Sequence, residues 1–183
     1  MKFDPDFEPV MTMGSLEDSS RRREVIMIEK RFGYDGRSDD VLVWGINTEY
    51  VLNFVDPEGN VIRKVVKEYE PEKITEEDRK WHYKLQFGDR KLPPDVKFKY
   101  PRHYYPYAYL FCDDEGRIYV RTYQKAGQGE IHFDVFDSEG RYIARFTRPV
   151  SEMPSIVKKG KMYSILRDRN ELPLLRRYRM VWE

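Results

Sequence analysis

Apolar and polar positions alternate with period two through much of the second half of the chain, most regularly in residues 107–146. Ile118 and Val120 fall on one side of a run while Arg117, Tyr119 and Arg121 fall on the other, and Ile131, Phe133 and Val135 oppose His132 and Asp134. Alternation sustained over that many residues predicts strands rather than helix. The runs meet at Asp113-Asp114-Glu115-Gly116 and at Asp137-Ser138-Glu139-Gly140. Asp at the first position of a type I turn accepts a backbone hydrogen bond, and Gly at the fourth takes the positive φ that closes a hairpin with a bulge. The stretch therefore predicts one four-stranded antiparallel sheet. Asp56-Pro57-Glu58-Gly59 repeats the turn upstream, with Pro where its fixed φ is already correct.

The flanking patterns extend this arrangement. Residues 24–31, 40–46, 49–55 and 60–67 read as four strands of an earlier sheet, with Gly33, Asp35 and Gly36 in the loop that joins the first two. Regular alternation stops at Tyr69. Pro71 ends the strand, Thr75 is placed to cap a short helix, and Glu76, Glu77 and Asp78 suit the positive end of its dipole. Trp81 and Leu85 give that helix something to bury. Beyond Pro149 and Pro154, residues 155–157, 161–166 and 174–182 supply three more strands. Repetition of a four-stranded unit is the sequence mark of a β-propeller, whose blades bury both faces against their neighbours. Burial on both faces explains why the polar side of these strands carries Tyr119, Tyr123, Phe136 and Tyr142. The fold expected is all-β, a partial β-propeller of nearly three four-stranded antiparallel blades with one short helical insertion. Its parts are a poorly ordered lead-in at 1–23, a blade at 24–67, the insertion at 68–106, a blade at 107–147 and an incomplete blade at 154–182.

The segments FCDDEGRIYVRTY, FDVFDSEGRYIARF and KKGKMYSILRDRNELPLLRRYRMVW resemble the C-terminal half of bacterial six-bladed β-propellers built from NHL-like repeats, of the TolB-like fold type. The likeness runs over roughly residues 41–182. It implies that about half of a six-bladed ring is present, in a fold that hosts many activities. Three blades cannot close, so it also implies a fragment of a longer protein or a homodimer that closes the ring as three plus three. A monomer whose open ends are covered by residues 1–23 is the alternative. Full-length proteins of this kind are often exported, whereas this N-terminus has acids where a signal peptide needs an apolar core. The compartment stays open.

Composition narrows the chemistry. With 33 Lys and Arg against 32 Asp and Glu the net charge is +1, which argues against a dedicated nucleic-acid binder. Arg21-Arg22-Arg23 is read as a solvated charge run ahead of a phosphate contact. The single cysteine, Cys112, excludes an internal disulfide, and its apolar strand suits a structural thiol better than a nucleophile. No apolar run is long enough to span a membrane.

Catalytic signatures are missing: the sequence has no GxxxxGK[ST], HExxH, GxSxG or CxxC. His82, His103 and His132 share no metal-ligand spacing, so neither metal nor cofactor is expected. Turn chemistry accounts for the acidic clusters at 113–115 and 137–139, and loop flexibility for Gly127-Gln128-Gly129. The richest constellation is Lys97, Lys99, Arg102 and His103 alternating with Phe98, Tyr100, Tyr104, Tyr105 and Tyr107. Aromatics stack on sugar rings or bases and cations hold carboxylate or phosphate, which makes Lys97, Lys99, Tyr100, Arg102, His103, Tyr104, Tyr105 and Tyr107 the candidate ligand-binding residues, with Trp81 and Arg90 as neighbours. The plainer alternative is that the aromatics pack the insertion onto the propeller while the cations stay in water. The function expected is a noncatalytic scaffold that binds a protein, peptide or glycan through its loop face. The alternative is a hydrolase or lyase site at the propeller axis, completed by a second copy or a missing half.

Overall fold

A computed structural model of the protein describes residues 2–3, 9–11, 24–28, 31–36, 40–91, 96–127, 129–170 and 172–182. Two short strands, β1 (Lys2–Phe3) and β2 (Pro9–Met11), pair antiparallel. The rest of the expected 1–23 lead-in, with Arg21-Arg22-Arg23, lies outside the described residues. Strand β3 is Glu24–Ile26. The first sheet then runs in sequence order through β4 (Phe32–Gly36), β5 (Leu42–Ile46), β6 (Val51–Val55) and β7 (Val61–Val66). Helix α1 (Glu76–Phe87) and strand β8 (Lys97–Lys99) form the insertion. The second sheet, again in sequence order, comprises β9 (Tyr107–Cys112), β10 (Ile118–Lys125), β11 (Glu130–Phe136) and β12 (Tyr142–Pro149). A short 3-10 turn at Val150–Glu152 leads to the third sheet: β13 (Pro154–Lys158), β14 (Lys161–Arg167) and β15 (Pro173–Arg179). The protein is thus mostly β, with three successive antiparallel sheets of four, four and three strands and one helix, and the sheets do not close into a barrel.

The sheets stack face to face, and period-two alternation dictates what meets between them. Ile118, Val120 and Phe136 on one face of the second sheet join Tyr107 and Leu110 against Val43, Tyr50, Leu52 and Phe54 of the first. Tyr119, Ile131, Phe133 and Val135 on its other face pack against Val157 and Met162 of the third. In this second core Phe111 stacks on Tyr119 at 5.0 Å and Phe133 on Phe146 at 5.2 Å. The middle sheet is therefore buried on both faces, and Tyr119 and Phe136 are core residues as their place on the strands predicts. Tyr142 lies on the outermost strand and is exposed.

The three Asp-x-Glu-Gly turns form as their chemistry requires. Gly59, Gly116 and Gly140 have φ of 93°, 76° and 79°, and each donates its N–H to the carbonyl of the Asp three residues earlier. Asp113 Oδ1 also accepts the amides of Glu115 and Arg117, and Asp137 Oδ1 those of Glu139 and Arg141. Asp168 Oδ1 likewise accepts the amides of Asn170 and Leu172 in the third sheet, without the Glu-Gly of the other turns.

Strand β4 departs from the sequence reading. Residues 24–31 were expected as the first strand and Gly33, Asp35 and Gly36 as a loop; instead Phe32–Gly36 pairs with Leu42–Ile46, and β3 pairs in parallel with β8. Gly33 is buried within the strand, where a Cβ would make only ordinary contact with Leu110 at 3.5 Å, so this glycine marks no turn. Helix α1 starts as predicted: the Asp78 amide donates to Thr75 Oγ1 (3.2 Å) and Asp78 Oδ2 accepts the Thr75 amide (2.7 Å), a complete capping box. Its residue Leu85, expected to be covered, is exposed.

Strand direction alternates, so the Asp-x-Glu-Gly turns lie at one end of the stack. The β10–β11 hairpin and the whole insertion lie at the other. At that end Tyr123 N–H donates to the Pro106 carbonyl, and Ile28, Ile74 and Tyr104 form a third small core with Tyr100, Tyr105 and Tyr123.

Candidate functional site

A cleft of about 410 Å³ opens where the N-terminal half of α1 faces the β10–β11 hairpin. The cleft is lined by Thr75, Glu77, Asp78, Trp81 and His82 on one side, by Tyr104, and by Arg121–Gln124, Ala126, Gly127, Gly129, Glu130 and Ile131 on the other. The elements that place these groups are rigid for stated reasons. The capping box fixes the first turn of α1, and the register of β10 with β9 and β11 sets Arg121 opposite Tyr109 and Phe133. Tyr104 is held by its amide, which donates to the Glu72 carbonyl, and by its own carbonyl, which accepts the Tyr69 hydroxyl.

Aromatic and ionisable groups share the cleft closely. His82 Nε2 lies 3.0 Å from the Tyr104 hydroxyl, and its ring meets that of Trp81 edge-on at 4.8 Å. Tyr104 stacks on Tyr123 with centroids 5.8 Å apart. Burial lowers the His82 pKa to about 4; the Asp78 carboxylate pulls the other way and Arg121 adds to the fall. The imidazole is therefore neutral near pH 7. Burial, followed by the charge and hydrogen bond of Asp78, raises the Tyr104 phenol well above its ordinary value. Neither group ionises near neutrality, so both stand as neutral hydrogen-bonding groups at pH 7.

A second, smaller cavity of about 210 Å³ adjoins it, sharing Thr122 and Gln124. Near its wall Asp134, whose side chain is fully buried, accepts from the Tyr50 hydroxyl (2.6 Å) and Arg145 Nε (2.7 Å) and faces Lys67 Nζ at 3.2 Å. Burial disfavours the carboxylate, but Arg145, Tyr50 and Lys67 together outweigh it and hold its pKa below the ordinary range.

The basic aromatic stretch is distributed over several environments. Tyr104 alone among the predicted residues lines the cleft. Tyr107 is fully buried in the first core, and Tyr100 and Tyr105 pack around the third. The Tyr100 hydroxyl donates to the Arg79 carbonyl, and the Arg79 guanidinium lies over its ring at 5.3 Å. Lys97, Lys99 and Arg102 are exposed, and His103 bridges Lys73 through the backbone. Of the expected neighbours, Trp81 lines the cleft, whereas Arg90 accepts the Tyr83 hydroxyl at its carbonyl outside it. Arg121, Tyr123 and the glycines of the β10–β11 hairpin are cleft residues that the stretch did not contain. The sequence signal for Arg121 is its place on the strand side that carries Tyr119 and Arg117.

Among the described residues no group of three or more His, Cys, Asp or Glu side chains could hold a metal, and no helix is long and apolar enough to cross a membrane. No protein-family model matches the sequence, and no curated protein matches it.

Proposed function

We propose that the protein is a noncatalytic scaffold of blade-like sheets that binds a protein or peptide partner through the face carrying the insertion. The observation that carries the reading is the cleft itself: a preformed recess of ligand size, walled by Trp81, Tyr104 and Tyr123, at the one end of the stack where inserted sequence accumulates. Its aromatic faces favour a peptide over a glycan. Tyr104 and Tyr123 spend ring faces on each other, which leaves an apolar slot rather than the open flat platform a pyranose ring needs. A mixed set of small fragments, read by amide NMR, tests the reading. Hits should gather on α1, Tyr104 and the β10–β11 hairpin; hits scattered over the surface or gathered elsewhere refute it.

The propeller likeness enters here as part of the proposal. The outer sheets leave apolar side chains exposed, Val61, Ile62 and Val66 on the first and Ile165 and Leu175 on the third, and the third sheet ends one strand short of the other two. Two copies that stack first sheet on third would cover both sets and close a six-bladed ring. Absolute mass by light scattering behind a sizing column checks this. A dimer stable on dilution supports the ring, and a monomer at all concentrations sinks it.

A further inference from the structure

The cleft contains a guanidinium that, among the described residues, has a buried nitrogen without a hydrogen-bond partner. Arg117, Arg145 and Arg148, with side chains less than a third exposed, each hold a carboxylate: Asp113 at 2.7 Å, Asp134 at 2.7 Å and Glu152 at 2.6 Å. Arg121 is also partly buried, its Nε fully so, yet that nitrogen has no hydrogen-bond partner among the described residues. Arg79 and Arg148 likewise have a buried Nε without a partner, but each places another guanidinium nitrogen 2.6 Å from a carboxylate. What the structure gives Arg121 is the ring of Tyr109, 5.8 Å from its guanidinium carbon. Taking a cation out of water without an anion or acceptor is costly, so such a site is completed when a ligand brings one.

Of the nearby carboxylates, Asp78 is engaged within its own helix cap and the other two stand at the rim. Asp78 accepts from the amide and hydroxyl of Thr75, and the Glu130 carboxylate lies over Gly127, where an added Cβ would meet its Oε2 at 2.9 Å. Glu77 and Glu130 are exposed at the rim. Rim acids repel a polyphosphate or any dense anion, while a single carboxylate on an otherwise neutral body still reaches the guanidinium below. We propose that the cleft seats one carboxylate of a peptide partner on Arg121, with the adjoining apolar group between Trp81 and Tyr123. This rests on the peptide-binding reading above and narrows it to acidic side chains and free C-termini, which share this chemistry.

Three small probes separate the sources: hippurate presents a terminal carboxylate, N-acetylaspartyl amide a side-chain one, and hippuramide none. Each is titrated to about 20 mM while the Arg121 Nε–H and the Trp81, Tyr123 and Gly129 amide resonances are followed. One or both acids should saturate with a dissociation constant on the order of 1 mM, the range for ligands of about ten heavy atoms. The acid that saturates identifies the source, and hippuramide should leave Arg121 unmoved. Arg121→Gln should weaken the acids by about tenfold or more, while Arg121→Lys, a control for folding, retains part of the binding. Equal binding of hippuramide and hippurate, or acid binding unchanged in Arg121→Gln, overturns the carboxylate seat and leaves the binding cleft standing. If no probe moves any cleft resonance, both fall.

Discussion

Replacing Asp134 tests the packing of the first sheet on the second. The carboxylate is fully buried and has partners on both sheets: Tyr50 and Lys67 from the first, Arg145 from the second. Asp134→Ala leaves two cations facing each other across a void, and removing one partner of a buried ionic cluster costs about 3–5 kcal/mol. For a protein of this size each kcal/mol lowers Tm by about 2–4 °C, so a fall of roughly 6–20 °C is expected. Asp134→Asn keeps the shape but loses charge-assisted hydrogen bonds worth about 1.5–3 kcal/mol, and should fall between that variant and the native protein. Scanning calorimetry of both variants, with Tyr50→Phe and the Tyr50→Phe/Asp134→Asn double variant, separates the hydrogen bond from the charge. The linkage has a definite sign. Because the folded pKa lies below the ordinary 3.8, the contribution is fully present above that pH and is lost as pH falls through the lower folded value. An Asp134→Asn protein that melts within about 2 °C of the native one, less than 1 kcal/mol of change, would show that the carboxylate does not tie the sheets.

Two other positions give independent tests. Burial lowers the His82 pKa to about 4 in the folded protein against 6.5 unfolded, so the His82 contribution to stability should be constant above pH 6.5 and decline between 6.5 and 4, where the unfolded state binds the extra proton. In His82→Gln the decline over that window should shrink, as followed by urea midpoints at several pH values. Gly140→Ala should destabilise by at least about 1–2 kcal/mol, since a side chain at φ 79° is strained and its Cβ would meet Val65 Cγ2 at 2.4 Å. Gly129→Ala, at the same φ but with nothing within 4 Å, should lose less, and equal urea midpoints for the two would refute the contact argument.

The sheets were more legible in the sequence than the cleft. Strands β9 to β12 announce themselves because alternation is local and the Asp-x-Glu-Gly turns carry their own hydrogen-bonding logic. Helix α1 could be placed for the same reason, since Thr75 and Asp78 make the cap within one turn. Strand β4 is not legible because Gly33 and Gly36 look like breaks, whereas both lie in register with β5. The cleft joins α1 to β10 and β11, elements separated by the 96–106 segment and a full strand, and no local pattern encodes that meeting. Asp134 and Arg121 show the limit most clearly. Both occupy alternating positions that read as ordinary strand polarity, yet one is neutralised by three partners from two sheets and the other has no carboxylate partner among the described residues.

Burial of the middle sheet on both faces makes the three sheets a short linear array in which, among the described residues, the first packs on the second and the second on the third. In such an array cooperativity passes through nearest-neighbour junctions. An end sheet can open while the other junction survives, but loss of the 107–146 hairpins dissolves both junctions at once. Hydrogen exchange should therefore grade outward, slowest in β10 and β11 and faster in β7 and β15, with the middle sheet setting the global unfolding limit for the whole protein.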